Sequence, residues 1–198
     1  IGTDPYPIPN RPPAMAGQWT RLTREAVDDA RALWQVPQVF NKSAYRKTEA
    51  EKAEGRPPTF EEMRSMTWQC ICEGADGLIY YSWFDLQRDK NYPFEQRWPE
   101  IKRMAQEVSK YALTLLSIEP IPEVEVQAPD AIHWTLRSHE GKVYLFMVND
   151  ADEAGNATVR FAKQPHTVTL GGEAVAIGDG SFQATFDPLG VNIYEVEM

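Results

Sequence analysis

Several features that would assign a function at once are scarce or missing here. The 198 residues include only two cysteines, Cys70 and Cys72, and three histidines. The cysteines lie two apart in a stretch with a helical pattern, where i and i+2 side chains point in different directions and no disulfide closes. They read as small buried hydrophobes and say little about redox compartment. His133, His139 and His166 share one segment without the spacing that metal ligands require, so no metal site is expected. No apolar run approaches the roughly 18 to 20 residues of a membrane helix. Stretches such as Gly77 to Phe84 are broken by polar residues, and a soluble protein without a membrane partner is expected. The net charge of −9 comes without a stripe of Lys and Arg. Nucleic acid is therefore not an expected partner, because phosphate binding depends on clustered cations that release counterions. A neutral substrate fits better. No glycine-rich loop precedes a helix to cradle phosphate; Gly171-Gly172 and Gly178-Asp-Gly180 read as hairpin turns. No cofactor is expected. Residue 1 is Ile, without a charged leader or apolar signal core, which reads as a processed or truncated product.

What is present is globular in character, with 42% hydrophobic, 25% charged and 11% aromatic residues, enough for one or two domains. Charge divides unevenly along the chain. Residues 1–120 carry 16 Lys and Arg against 17 Asp and Glu, whereas residues 121–198 carry 4 against 12. The texture changes at the same place, where Ile118-Glu-Pro-Ile-Pro-Glu123 holds two prolines that cannot continue a helix. A domain boundary is expected there, giving domains 1–120 and 121–198.

Before the boundary, strands alternate with helices. Ile1 to Asp4 reads as a strand, followed by a proline-rich loop. A helix is expected from about Gln18 to Trp34, a short strand over Val36 to Asn41, and a charged loop over Lys42 to Pro58. Thr59 and Glu62 form a capping box, in which hydroxyl and carboxylate each satisfy a free backbone amide, opening a helix over Phe60 to Glu73. Leu78 to Phe84 reads as a strand buried on both faces. Trp98 to Ser117 has helical periodicity. Such alternation implies parallel βα units in a sheet or barrel. After the boundary come eight short runs separated by Gly- and Asp-rich turns: Glu123–Val126, Ile132–Arg137, Val143–Asn149, Ala157–Phe161, Thr167–Leu170, Ala174–Ile177, Phe182–Phe186 and Val191–Val196. That is the pattern of an antiparallel sandwich. Its one tryptophan, Trp134, is expected to fill the core.

In parallel α/β folds the chemistry sits at the carboxyl ends of the strands. Those positions hold Asp4 and Tyr6, then Gln38, Phe40 and Asn41, then Tyr80, Tyr81, Ser82, Trp83 and Asp85. Aromatic rings beside carboxylates and amides suit a sugar, whose apolar face stacks while its hydroxyls pair with Asp, Asn and Gln. Asp4 before a proline could equally shape a turn. Glu73 and Asp76 fall at the opposite, stability face, and Glu61, Glu62 and Glu100 read as helix-start residues that complement the dipole.

Asp4-Pro-Tyr-Pro7, Pro37-Gln-Val-Phe40 and Gly74-Ala-Asp-Gly-Leu-Ile-Tyr-Tyr-Ser-Trp83, followed by Trp98-Pro-Glu-Ile-Lys to Leu116, resemble the last three βα units of glycoside-hydrolase-type TIM barrels. Val143 to Asp150 and Phe186 to Tyr194 resemble strands of the small β-sandwich that often follows such barrels. The resemblance implies an α/β plus all-β fold, a partial (β/α)8 barrel of about three βα units with a C-terminal antiparallel β-sandwich. It also implies a carbohydrate ligand and an extracellular or periplasmic location. Asp4 and Asp85 become candidate catalytic residues, the only carboxylates expected on one rim; Tyr6, Gln38, Asn41, Tyr81 and Trp83 become candidate substrate-binding residues. One departure stands out. Many retaining members of the large glycosidase clan carry catalytic glutamates at the ends of strands four and seven, and the strand-seven end here offers Gln38 and Asn41, amides that cannot act as nucleophiles. Strands one to four have no counterpart in a chain of this length, since a full barrel takes about 250 residues. An open half-barrel exposes edges and apolar faces, so the missing N-terminal half or a second copy of the chain is expected as partner. The alternative to an enzyme is a catalytically silent carbohydrate-binding or scaffold protein. A doubly wound binding domain is disfavoured by the absent phosphate turn.

Overall fold

The computed structural model describes residues 1–28 and 30–198 and divides into two compact units, Ile1–Val108 and Ser109–Met198. The first unit runs β1 (Gly2–Thr3), α1 (Met15–Val27), β2 (Trp34–Gln35), a 3-10 turn (Lys42–Tyr45), α2 (Glu49–Ala53), α3 (Phe60–Cys72), β3 (Gly77–Leu78), α4 (Trp83–Arg88) and most of α5 (Phe94–Lys110). Its strands form a parallel sheet in the order β1-β2-β3, with Gly2 opposite Trp34 and Trp34 opposite Gly77.

The alternation of side chains across a strand explains how this sheet sits. On one side Leu78 packs with Ala16, Met66 and Cys70 of α1 and α3, and Tyr80 packs with Val39, Met63, Leu86, Ile101 and Met104. The residues between them point the other way: Ile79 is 50% exposed and Tyr81 44%, beside Trp34 at 47%. Only one face of this parallel sheet is therefore covered. Gln38 and Tyr81 extend the pairing as an isolated parallel bridge beyond β2 and β3.

Several expected boundaries move. The first helix begins at Met15, earlier than Gln18, and stops at Val27 because Asp28 adopts a left-handed backbone (φ 48°). Trp34 belongs to a strand instead of that helix, and residue 29, inside the expected helix, lies outside the described residues. The charged loop holds α2, capped by a Thr48–Glu51 box of the same kind as Thr59–Glu62. The third strand is two residues long, with one further bridge at Tyr81, and Ser82 then caps a new helix, α4, through the Asp85 amide, where the strand was expected to continue to Phe84. Glu100 lies in the second turn of α5 and pairs with Arg97, so it does not begin a helix. No helix among the described residues is long and apolar enough to cross a membrane.

The second unit opens with the end of α5 and α6 (Ala112–Leu115), and continues as β4 (Val124–Gln127), β5 (Ile132–His139), β6 (Lys142–Asn149), β7 (Gly155–Phe161), β8 (Thr167–Leu170), β9 (Glu173–Ala174), β10 (Ser181–Phe186) and β11 (Val191–Glu197). Two antiparallel sheets result, ordered β10-β7-β4 and β5-β6-β11-β8-β9. They share one apolar core, in which Val159, Phe161, Phe182 and Phe186 of the first sheet join Leu136, Leu145, Met147 and Tyr194 of the second. Trp134 departs from expectation: its strand β5 is a sheet edge, and the ring is 37% exposed. In the same unit Tyr111 packs edge-on against Phe146, with ring centres 5.4 Å apart. His133 Nε2 lies 2.8 Å from the Asp150 carboxylate.

Candidate functional site

A cavity of about 760 Å³ opens at the carboxyl ends of the three parallel strands. Its floor is the uncovered sheet face, with Gly2, Trp34, Val36 and Ile79; its rim holds Asp4, Tyr6, Phe40, Lys42, Tyr45 and Tyr81. The rings form a connected cluster. Tyr6 meets Phe40 edge-on at 5.0 Å and stacks on Tyr81 at 6.1 Å, while Phe40 meets Tyr81 at 5.4 Å and Tyr45 at 5.9 Å. Aromatic pairs in these geometries are held by quadrupole attraction as well as burial.

Each rim residue is placed by a local cause. Asp4 and Tyr6 follow β1 directly. Phe40 follows the Gln38 bridge, and Asn41 caps the 3-10 turn by accepting the Ser43 amide at 3.0 Å, which turns Lys42 and Tyr45 toward the cavity. The Lys42 ammonium donates to the Tyr6 carbonyl at 3.1 Å. Tyr45 donates its hydroxyl to Asp85 Oδ1 at 2.7 Å, and Ser82 Oγ donates to Asp85 Oδ2. Both carboxylate oxygens of Asp85 are thus engaged by hydroxyls. The Tyr45 phenol is held well above its ordinary range, first by the hydrogen bond to Asp85 and then by burial. Burial raises Tyr6 as well, with Asp4, Tyr81 and Asp85 adding repulsion that disfavours a phenolate. Both phenols therefore remain neutral donors at physiological pH.

The residues read from the sequence divide accordingly. Asp4, Tyr6 and Tyr81 come together in the cavity. Gln38 does not face it: the side chain is fully buried, donates to the Ile8 and Phe40 carbonyls at 3.0 Å each, and accepts the Ile8 amide at 2.9 Å. Its amide is consumed in fixing the backbone, which takes it out of the ligand-binding set. Asn41 is buried and serves as the cap described above. Trp83 is half exposed but starts α4 and packs edge-on against Phe94 and Trp98, away from the cavity lining. Asp85 is the third residue of α4, at the outer side of Tyr45, and is absent from the lining. Of the residues that join the site, Phe40 was seen at a strand end, whereas Lys42 and Tyr45 were missed. The signal for them was the turn chemistry of Asn41 inside a segment read as an undifferentiated charged loop.

Chemically, the lining sets aromatic rings beside one carboxylate and one ammonium. Tyr6 and Tyr81 offer faces and edges, Asp4 accepts hydrogen bonds and Lys42 donates them. Glycoside hydrolysis takes two carboxyl groups. Among the described residues lining the cavity, Asp4 is the one carboxylate. Among the described residues no group of three His, Cys, Asp or Glu is arranged to hold a metal ion. Cys70 is free and buried, its thiol pushed up to about 12 by burial.

No family model matches the chain, and no curated protein matches it. Solved structures do. AmyP in complex with maltotriose is similar with a TM-score of 0.55 at 9% identity, over 92% of this chain and 45% of that one. The α-amylase of Geobacillus thermoleovorans, complexed with acarbose, is similar with a TM-score of 0.50 at 8% identity, over 100% of this chain and 60% of that one. A GH30 endoxylanase from Clostridium papyrosolvens C71 has a TM-score of 0.48 at 11% identity, over 100% of this chain and 48% of that one. The chain has a mixed helix-and-sheet fold similar to the barrel and C-terminal domains of glycoside hydrolases. It spans about half the length of the structures it matches.

Proposed function

We propose that this chain is the C-terminal portion of a glycoside hydrolase, contributing three βα units of a (β/α)8 barrel over residues 1–120 and a β-sandwich accessory domain over residues 121–198. Its cavity is one wall of a saccharide cleft. Tyr6 and Tyr81 stack on sugar rings with the buried Phe40 packed behind them, Asp4 and Lys42 pair with hydroxyls, and Tyr45 with Asp85 closes the rim. The carrying observation is the aromatic cluster around Asp4 at the carboxyl ends of three parallel strands. The carbohydrate complexes of AmyP and of the α-amylase that it resembles in fold agree with a carbohydrate ligand.

In this reading the chain alone is not a complete catalyst. Asp4 is a candidate acid or base, and Asp85, bonded through both oxygens, orients Tyr45 in place of reacting. The second reacting carboxyl group belongs to the other half of the barrel. That half also covers the open sheet face bearing Trp34 and Ile79, below the rim that holds Tyr81, because a parallel sheet is stable when both faces are buried. A silent carbohydrate-binding protein is the second reading, favoured by the single carboxylate lining the cavity.

The test is calorimetric titration of the polypeptide carrying this chain with malto- and xylo-oligosaccharides, alongside turnover of aryl glycosides. Binding that Tyr6→Ala weakens at least tenfold, a change of about 1.4 kcal/mol, supports the cleft. Turnover lost in Asp4→Asn supports the enzyme, and binding without turnover supports the silent protein. No binding to either sugar series overturns both.

A further inference from the structure

The loop between β2 and α3 brings Phe40, Lys42 and Tyr45 to the cavity, and its base is held by a buried cation outside the site. Arg97 of α5 is 8% exposed. One guanidinium nitrogen, Nη2, donates to the Pro58 carbonyl at 2.8 Å and reaches the Val39 carbonyl at 3.5 Å. The other, Nη1, donates to Glu100. Those two carbonyls stand at opposite ends of the loop, one just before Phe40 and the other just before the Thr59 cap of α3. A buried charge is costly to keep out of water, and an apolar residue would fill the same space more simply. What an apolar residue would not do is donate to the Pro58 carbonyl while lying against the Val39 carbonyl nineteen positions earlier in the chain.

We propose that Arg97 is a positioning residue for the cleft wall: by bonding the Pro58 end of the 40–58 loop and packing against its Val39 end it sets Phe40 and Tyr45 in place before a ligand arrives. The proposal rests on the cleft reading above and assigns a residue that touches no part of the cavity. The loop is tied separately through Gln38 to the Phe40 carbonyl, Lys42 to the Tyr6 carbonyl, Tyr45 to Asp85 and Arg56 to Glu62. Releasing the base therefore loosens the loop without detaching it.

The experiment compares Arg97→Met and Arg97→Lys with the parent in the full polypeptide, by amide hydrogen exchange without ligand and by oligosaccharide titration. Arg97→Met is expected to speed exchange over residues 41–58 about tenfold while leaving Ser109–Met198 unchanged, and to weaken oligosaccharide binding about tenfold. Arg97→Lys, which keeps the charge but can serve fewer acceptors, is expected to fall between. A lowered melting temperature with parental loop exchange overturns the proposal and leaves Arg97 a packing residue. If the parent binds no oligosaccharide the cleft reading fails, and loop exchange alone then decides whether Arg97 positions the wall. Should Arg97→Met not fold, the Lys variant decides in the same way.

Discussion

The two units of this chain meet the demand for burial in opposite ways. In Ser109–Met198 two antiparallel sheets cover each other, so Leu145, Met147 and Val159 lose all contact with water. In Ile1–Val108 three short parallel strands are covered by helices on one face, and the other face presents Trp34, Ile79 and Tyr81. The difference bears on where a cavity forms. The unit whose two sheets cover each other closes its core between them, whereas the unit with an uncovered strand face carries the aromatic cavity at its carboxyl rim.

Core truncation breaks or sharpens this contrast most strongly. Leu145→Ala removes a side chain from the large shared core and is expected to cost about 2–5 kcal/mol by urea denaturation. Met104→Ala, in the smaller cluster with Val39, Met63, Leu86 and Ile101, should cost toward the lower end of that range, because fewer neighbours are lost and the site collapses more easily. Equal costs would remove the contrast. A smaller effect separates the cavity from its scaffold. Gln38→Ala leaves the Ile8 amide and two carbonyls without partners and should cost about 1–3 kcal/mol, while Asp4→Asn, in the open cavity, should change stability by less than about 0.5 kcal/mol. The opposite ranking would put Gln38 back among ligand-binding residues.

A further effect depends on pH. Burial alone would raise the Glu62 carboxyl, but the Arg56 guanidinium, at 2.6 Å, and the Thr59 amide, at 2.7 Å, hold it below the ordinary value of 4.5. A lowered folded-state pKa adds stability that is fully present above 4.5 and lost as pH falls through the folded-state value. Glu62→Gln should therefore be less stable than the parent at pH 7, with the gap closing in acid. A gap that persists at low pH would show that shape, not charge, makes the contribution.

How much could be read from the sequence follows the same division. The antiparallel strands announce themselves by alternation and by turn residues. Thr167–Leu170 agrees end for end, and the β5–β6 hairpin turns on Glu140 and Gly141, both at positive φ. The capping box at Thr59 and Glu62 located α3 equally well. The parallel strands are harder, because two-residue pairings between apolar segments leave no period to detect. Trp34 continues the helical spacing of Leu33 and Ala30, and the break at Asp28 carries no glycine to mark it. Asp4, Tyr6 and Tyr81, read from strand-end position alone, line the cavity. Gln38 and Asn41 instead bond the backbone, a use of their amides that only the fold reveals. Trp83 and Asp85 moved away once Ser82 started a helix; the Ser82-x-x-Asp85 spacing was a readable cap. Tyr45 reaches the cavity through a 3-10 turn in a segment whose charges concealed it.

The most direct test of the cavity as a saccharide cleft is a crystal structure of the polypeptide carrying this chain, soaked with a malto- or xylo-oligosaccharide. A pyranose stacked on Tyr6 or Tyr81, with a hydroxyl within hydrogen-bond distance of Asp4, is the predicted result. A sugar bound only on the antiparallel unit, or a cavity that stays empty while oligosaccharide binds in solution, would contradict it.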